Sequence, residues 1–220
     1  MTTQHQTPLS AAPTDHASTR LESQSTPASS SSAELASQQI SLRAALRQFP
    51  DFPIPGIDFV DILPLFADNA LHQSLLRALE LQVLSGFNDG KKPDVIVGLD
   101  ARGFLFGPSL ALRLGASFAP VRKRGKLPGP TVEAAFEKEY GQDYFQMQAD
   151  AVKPGQTVLI VDDIIATGGS AAAAGELVEK LGGTLVGYLF ILELDFLKGR
   201  DKLSAPVVTL LRDEVMGTDK

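Results

Sequence analysis

The feature that most constrains this 220-residue chain is an apolar run that ends in two carboxylates and a turn of small residues. Residues 158–161 (Val-Leu-Ile-Val) are typical of a strand buried on both faces of a sheet. Asp162 and Asp163 follow directly, and residues 166–170 (Ala-Thr-Gly-Gly-Ser) then predict a turn. The next apolar residues have helical spacing, at Ala171, Ala174, Leu177, Val178 and Leu181. The sequence therefore predicts a strand, an acidic pair, a polar turn and a helix.

The predicted turn has the chemistry of a phosphate site. The first N–H groups of a helix have no partner within the helix and bind anions readily. Glycines let the backbone approach an anion closely, and Thr167 and Ser170 add hydroxyl donors. The adjacent carboxylates suit a phosphate that belongs to a sugar, because Asp162 and Asp163 can accept hydrogen bonds from ribose hydroxyls. The alternative is that both aspartates only end a strand and cap a helix. The complete string favours the phosphosugar site.

The common phosphate-binding motifs do not fit this string. A Walker loop requires Lys before Ser or Thr, whereas Gly169 precedes Ser170. A dinucleotide fingerprint requires glycines directly after the strand, and residues 162–167 contain none. The string instead resembles the phosphoribosyl-pyrophosphate (PRPP) motif of the type I phosphoribosyltransferases.

Composition excludes several other classes of function. Hydrophobic residues make up 44% of the chain and charged residues 21%, which is ordinary for a globular protein. With a net charge of −6 we expect no nucleic-acid partner and no anionic membrane surface. The chain has no cysteine, which excludes disulfides and thiolate catalysis. No apolar run approaches the ~18 residues that a membrane span needs.

The first 38 residues differ in composition from the rest. They are mainly Ser, Thr, Gln, Ala and Pro, and they predict a disordered tail before a single domain over residues 39–220. The tail has no apolar core of a secretory signal, and Arg20 is its only arginine, which argues against a transit peptide. We therefore expect a cytoplasmic protein.

Strand and helix patterns alternate along the domain. Strands are predicted at residues 93–100, 118–121, 158–161, 185–192 and 206–211. Helices are predicted at residues 41–49 with Ser41 as cap, at 71–83, up to about 114, and after 170. This alternation predicts an α/β fold with a central, mostly parallel twisted sheet flanked by helices. Residues 130–149 predict a mobile β-hairpin that could act as a lid.

Three further segments are candidates for binding. Arg102 follows the strand at residues 93–100, at the end where ligands bind in open α/β sheets. Residues 122–126 carry four cations, which fit either a solvated loop or a polyanionic substrate. Residues 50–65 contain several prolines and project Ile57 and Phe59. This hood could pack over the core or could present an aromatic face to a flat ligand.

The resemblance to the phosphoribosyltransferases covers the chain from about Phe49 to Leu211. It is strongest with fungal members of the family. The matching segments are Asp51-Phe-Pro…Pro-Gly-Ile, residues 98–107 (Gly-Leu-Asp-Ala-Arg-Gly-Phe-Leu-Phe-Gly), 122–129 (Arg-Lys-Arg-Gly-Lys-Leu-Pro-Gly), 139–141 (Glu-Tyr-Gly), 161–170 and 193–200 (Glu-Leu-Asp-Phe-Leu-Lys-Gly-Arg). Some relatives carry Arg at the position of Val60, so a role of that side chain does not transfer.

The resemblance implies conversion of adenine and PRPP to AMP and pyrophosphate. It assigns ribose contacts to Asp162 and Asp163. It assigns the 5′-phosphate to Ala166, Thr167, Gly168, Gly169 and Ser170, and the pyrophosphate to Arg102, Arg122, Lys123 and Lys126. Lys126 would reach across a homodimer interface. Mg²⁺ would bridge pyrophosphate and ribose oxygens, held mainly through the substrate.

For the base and the chemistry, the resemblance implies a second group of residues. Adenine would lie between Phe59 and Ile164, and main-chain groups near Asp58 would read its edge. Glu139, on a flexible loop at about residues 127–148, would act as general acid or base, with Arg102 as the second catalytic residue. Two alternatives remain open: transfer to another purine base, hypoxanthine or guanine, and a non-enzymatic regulator that senses PRPP.

Overall fold

The computed structural model describes residues 27–52, 55–56, 58–87, 90–137 and 142–212. The strands are β1 (Arg47–Phe49), β2 (Phe59–Asp61), β3 (Val95–Leu99), β4 (Ser117–Lys123), β5 (Thr131–Glu137), β6 (Gln142–Gln148), β7 (Thr157–Ile165), β8 (Thr184–Glu193) and β9 (Val207–Arg212). The α-helices are α1 (Pro27–Ala45), α2 (Pro64–Ala67), α3 (Asn69–Gly86), α4 (Gly107–Leu114) and α5 (Gly169–Lys180). Short 3₁₀ helices cover Arg102–Leu105, Asp195–Leu197 and Gly199–Lys202.

Seven strands form the main sheet, in the order β5-β6-β4-β3-β7-β8-β9. The pairs β3–β4, β3–β7, β7–β8 and β8–β9 are parallel, whereas β4–β6 and β5–β6 are antiparallel. The predicted mostly parallel α/β sheet is therefore confirmed. From β3 the chain first adds β4 on one side and later β7 on the other. The sheet consequently has a switch point between β3 and β7, where α/β proteins of this type bind ligands.

Helices cover both faces of the sheet, which explains the continuous apolar run in β7. Leu159 and Val161 pack with α1, α3 and α4 on one face. Val158 and Ile160 pack with α5 on the other face. All four side chains are fully buried, as the alternation of side chains along a strand between two helical layers requires.

Helix α3 shows how local sequence sets an element that was predicted at residues 71–83. Asp68 is its N-cap, and the Asp68 side chain accepts a hydrogen bond from the N–H of Leu71 at 2.9 Å. The buried face includes Leu75, Leu79 and Val83, which have the spacing of an amphipathic helix. The cap and this apolar face together position α3 against the sheet.

The N-terminal part of the described chain differs from its prediction. Helix α1 begins at Pro27 and crosses the predicted boundary at residue 38, and Ser41 lies inside the helix instead of capping it. Arg77 holds Glu34 with two hydrogen bonds of 2.9 and 3.0 Å, and Leu42 is fully buried. These tertiary contacts stabilise a polar segment whose composition alone predicts disorder. Residues 1–26 lie outside the described part of the chain.

The hood is more regular than predicted. Residues 47–49 form strand β1 instead of a helix end, and β1 pairs with β2 through Arg47↔Asp61 and Phe49↔Phe59. Val60 and Ile62 are buried in the core, whereas Phe52 is exposed. The hood therefore packs over the core, as one of the two interpretations predicted, and it also leaves an aromatic side chain at the surface.

The predicted hairpin is present as β5 and β6. Its strands pair from Thr131↔Gln148 to Glu137↔Gln142. Strand β6 also pairs with β4, so the hairpin extends the main sheet at one edge. Its mobility stays a prediction, and residues 138–141 lie outside the described part of the chain. Among the helices described, none combines the length and the apolar character needed to cross a bilayer.

Candidate active site

The acidic pair lies at the switch point, at the carboxyl end of β7. Asp163 is buried, with 3% of its surface exposed, and Asp162 is half-buried. The backbone N–H of Asp163 donates to Oδ1 of Asp162 at 2.9 Å. Arg102 Nε lies 2.8 Å from Oδ2 of Asp163 and forms an ion pair with it. The structure therefore joins two of the predicted site segments.

Burial makes this pair costly to ionise. Burial raises the pKa of Asp162 well above its usual value, and the charge of Asp163 raises it further. Burial also raises the pKa of Asp163, although the charge of Arg102 opposes this. The close approach of Arg102 Nε to Oδ2 of Asp163 lacks the angle of a hydrogen bond, so within the described part of the chain this oxygen has an ion-pair partner but accepts no hydrogen bond. Hydroxyl donors or a cation from a ligand would stabilise both carboxylates.

The turn after β7 supplies unpaired donors. Within the residues that the structure describes, no hydrogen bond uses the N–H groups of Thr167, Gly168, Gly169 or Ser170. Gly168 is left-handed, with φ +78°, and it leads into α5 at Gly169. The turn, the acidic pair and Arg102 line one cavity of about 150 Å³. Four N–H donors at a helix N-terminus beside two carboxylates can bind a phosphosugar.

Arg102 is held close to the acidic pair by the 3₁₀ helix that follows β3. A Cβ atom at Gly103 would lie 2.8 Å from the carbonyl oxygen of Val161 and 3.4 Å from Oδ1 of Asp162. Only glycine allows this approach, because side-chain carbons do not come so near to a carbonyl. The sequence places Gly103 beside Arg102 but gives no sign of this contact.

Two of the four cations in the basic segment are already paired. Arg122 Nε donates to Oδ2 of Asp100 at 3.0 Å. Arg124 forms two hydrogen bonds with Glu133, one of them at 2.6 Å, and its guanidinium lies 3.5 Å from the centre of the Tyr144 ring. In the described ranges, Lys123 and Lys126 are exposed and have no ion-pair partner. The two lysines are consequently the cations that remain available to an anion.

The hood lies within electrostatic reach of Arg102. Burial acts to raise the pKa of Asp61, but hydrogen bonds from Leu63 N–H and Arg47 and the charges of Arg47 and Arg102 lower it overall. Phe59 lies on β2 and packs edge-to-face with Phe52 at 5.3 Å between ring centres. Asp58 is exposed.

Ile164 is half-buried and lines the cavity beside the acidic pair. The stacking of a base between Phe59 and Ile164 stays a prediction. Glu139 lies outside the described residues.

Comparisons with known proteins identify the class. Residues 69–215 match the model of the phosphoribosyl transferase domain. The adenine phosphoribosyltransferase of Yarrowia lipolytica is 65% identical over 79% of this chain and 94% of its own length. Adenine phosphoribosyltransferase 1 of Saccharomyces cerevisiae is 58% identical over 80% and 94%. A crystal structure of the Saccharomyces cerevisiae enzyme superposes with a TM-score of 0.78 over 80% of this chain and 99% of that one. The chain therefore belongs to the phosphoribosyltransferase family and, within it, to the adenine phosphoribosyltransferases.

Proposed function

We propose that the protein transfers the phosphoribosyl group of PRPP to adenine, which forms AMP and releases pyrophosphate. The observation that carries this proposal is the cavity shared by the acidic pair and the four free N–H donors at the switch point. Identities of 65% and 58% to adenine phosphoribosyltransferases support adenine as the base. The Saccharomyces cerevisiae structure contains adenine together with an imino-altritol bisphosphate, a sugar-like bisphosphate.

The turn and the acidic pair bind the phosphoribosyl half of PRPP in this proposal. Residues 166–170 hold the 5′-phosphate through backbone N–H groups and the hydroxyls of Thr167 and Ser170. Asp162 and Asp163 accept hydrogen bonds from the ribose hydroxyls. Burial removes much of the water around these carboxylates and raises their pKa, so a ligand that donates hydrogen bonds to them gains a favourable interaction.

The leaving group is held by the cations at the neighbouring strand ends. Attack by N9 of adenine on the anomeric carbon breaks the bond to pyrophosphate, which leaves with the electron pair. Arg102 and Lys123 stabilise the negative charge that develops on it, together with a Lys126 that reaches across the proposed dimer interface, whereas Arg122 is held by Asp100 and contributes less.

The acidic pair also fits Mg²⁺, because carboxylate oxygens are hard ligands and Oδ2 of Asp163 accepts no hydrogen bond from the described residues. The ion would be held mainly through substrate oxygens, with Asp162 and Asp163 as the neighbouring negative charges that favour it. When bound, Mg²⁺ supplies charge neutralisation at the pyrophosphate.

The hood and the hairpin complete the proposed reaction. Phe59 and Ile164 stack on adenine, and the main chain near Asp58 reads its edge. Glu139 accepts the proton that adenine loses as N9 forms the new bond. Closure of the hairpin would exclude water, which otherwise hydrolyses the activated sugar.

Assay of purified protein with PRPP, Mg²⁺ and one purine base at a time tests the function. We expect AMP from adenine and little product from hypoxanthine or guanine, measured by chromatography. If product forms from hypoxanthine or guanine but not from adenine, the protein is a phosphoribosyltransferase for another base. PRPP binding without turnover for any base would favour the regulator.

We also propose a cytoplasmic homodimer in which Lys126 completes the site of the other subunit. Light scattering measures the molar mass. Mixed Lys126→Ala and Asp163→Asn proteins should regain activity if subunits exchange and the site is shared. An absence of recovery, with exchange demonstrated, would place each site within one chain.

A further inference from the structure

The turn at residues 166–170 packs against the backbone of Gly199, which lies much later in the chain. A Cβ atom at Gly199 would lie 2.2 Å from the carbonyl oxygen of Ala166 and 3.0 Å from the nitrogen of Gly168. Conversely, a Cβ atom at Gly168 would lie 2.2 Å from the carbonyl oxygen of Gly199. The two backbones are therefore in direct contact, with no space for a side chain on either. Gly199, which lies in the segment after β8, therefore supports the turn by direct backbone contact.

Gly199 is held in place by its neighbour Arg200. Arg200 forms two hydrogen bonds with Glu193, one of them at 2.5 Å, and donates to the carbonyl of Val207 at 2.8 Å. Thr209 Oγ1 donates to the same carboxylate at 3.1 Å. Glu193 is buried, with 4% of its surface exposed, so its pairing with Arg200 is strongly oriented. This network ties the Gly199–Lys202 segment to the ends of β8 and β9.

We infer that Gly199 and Arg200 are positioning residues for the 5′-phosphate of PRPP. Arg200 fixes Gly199, and Gly199 fixes Ala166 and Gly168, so the N–H groups of the turn keep the direction that a phosphate needs. Neither residue contacts the cavity that lies among the acidic pair and the turn. The inference rests on the proposed function, since it assigns the turn to the phosphate of PRPP.

Gly199→Ala tests the contact itself. The φ of Gly199 lies outside the left-handed region, so alanine is conformationally acceptable and only the missing space opposes it. Relieving the contact moves the Ala166 carbonyl by roughly 1 Å, and we expect the KM for PRPP to rise roughly 10- to 100-fold. The KM for adenine should change less than about two-fold, because the hood does not depend on this contact. Equal KM values for PRPP in wild type and a folded variant would overturn the inference.

Arg200 variants test whether the pairing of Arg200 with Glu193 holds Gly199 in place, and they do so even if Gly199→Ala does not fold. Arg200→Gln should raise the KM for PRPP roughly ten-fold, and Arg200→Lys should restore part of the loss, because Lys keeps the charge but not the forked geometry. Arg77→Gln is the matched control, since Arg77 also holds one carboxylate with two hydrogen bonds. It should lower the melting temperature (Tm) without changing either KM. If Arg200→Gln lowers only Tm, or raises both KM values equally, Arg200 is structural and the inference fails.

Calorimetric titration with AMP and with adenine separates this inference from the proposed function. AMP carries the 5′-phosphate and adenine does not, so the variants should lose affinity for AMP alone. If wild type makes no AMP from adenine and PRPP, the proposed function fails, and the AMP titration still decides the positioning role. If wild type is active and the variants bind AMP normally, only the positioning role is wrong.

Discussion

Asp163 combines burial, a raised pKa and an ion pair with Arg102. A buried carboxylate with an incomplete set of hydrogen bonds is unfavourable for folding, so its presence is better explained by ligand binding than by stability. The same conflict between stability and binding extends to Asp162, which is half-buried and whose pKa burial also raises.

We predict that Asp163→Asn raises the KM for PRPP roughly 10- to 100-fold, because charge-assisted hydrogen bonds to ribose are lost. Tm should stay within a few degrees of wild type, since the amide removes a buried charge. Asp94→Asn is the control: Asp94 lies before β3, at the opposite end of the strand, and accepts from Thr157 N–H at 2.8 Å. It should affect Tm and leave the KM unchanged. If Asp163→Asn instead lowers Tm and leaves the KM for PRPP unchanged, Asp163 is a purely structural residue.

Glu139 is the residue whose assignment depends most on family resemblance. We predict that Glu139→Gln lowers the rate of AMP formation by ~10²–10⁴-fold and leaves PRPP affinity largely intact, because Gln keeps the size but cannot accept the proton. Single-turnover kinetics measure the chemical step directly. Glu137→Gln is the control and should be nearly neutral. Equal chemical rates for wild type and Glu139→Gln would remove Glu139 from the mechanism.

The pairing of buried Glu193 with Arg200 leads us to predict that the stability of the protein depends on pH. Burial acts to raise the pKa of Glu193, but hydrogen bonds and charge from Arg200 lower it below the usual 4.5. A lowered pKa contributes stability above about pH 4.5, and this stability is lost as pH falls through the lowered value. Glu193→Gln should reduce the free energy of unfolding at pH 7 by roughly 3 kcal/mol and flatten its decline below pH 4.5.

Glu34→Gln is the matched control, because Glu34 also pairs with one arginine but its side chain is 39% exposed. Glu34→Gln should leave the free energy of unfolding nearly unchanged, because solvent screens an ion pair at the surface. Denaturant unfolding at several pH values measures both variants. Parallel curves for Glu193→Gln and wild type between pH 5 and pH 3 would contradict the linkage.

At the scale of elements, the connection between β4 and β5 combines paired and unpaired cations. Glu133 accepts from Arg124 and also from Gln146 Nε2 at 3.0 Å, so Arg124 is part of the hairpin base. Lys126 has no ion-pair partner within the described residues. One segment consequently has a structural cation and a cation that is available for substrate.

We predict that Lys126→Ala weakens pyrophosphate binding roughly ten-fold, whereas Arg124→Ala changes it less than about three-fold. Arg124→Ala should instead loosen the hairpin and lower Tm, because it leaves Glu133 without its guanidinium partner. Inhibition by pyrophosphate and thermal unfolding measure the two effects. A larger loss of pyrophosphate binding in Arg124→Ala would show that the Glu133 pair opens in the complex.

For the whole molecule, α1 connects the N-terminal segment to both α3 and the sheet. Besides the pair of Glu34 with Arg77, Gln39 Nε2 donates to the carbonyl of Leu210 at 2.8 Å. Leu35 packs against the core. The helix therefore closes the face of the sheet that α3 and α4 cover.

We predict that deleting residues 1–37 lowers Tm by about 4–8 °C, because losing the apolar packing of Leu35 removes roughly 2 kcal/mol from a domain of this size. Deleting residues 1–26 is the control, since it keeps every contact of α1 described above. Differential scanning calorimetry compares the two proteins. Equal Tm values would show that the first half of α1 contributes no stability.

The sequence by itself determined the buried strand β7, the acidic pair that ends it and the polar turn that follows. Each is contiguous in the chain: the apolar run of β7, Asp162 with Asp163, and residues 166–170. Strand periodicity and turn chemistry depend on neighbouring residues, so they can be predicted locally. Family resemblance added the identities of the substrates, because its motifs recur in the same order.

Only the tertiary structure decided the contacts between distant residues. Composition predicted disorder in the first 38 residues, where part of α1 forms. A pair that stabilises α1, Glu34 with Arg77, joins residues 43 positions apart, so local composition does not reveal it. The sequence likewise could not show that Arg124 pairs with Glu133 or that Gly199 contacts Gly168. Such contacts depend on how the elements pack, and packing is fixed by the whole chain and not by any local pattern.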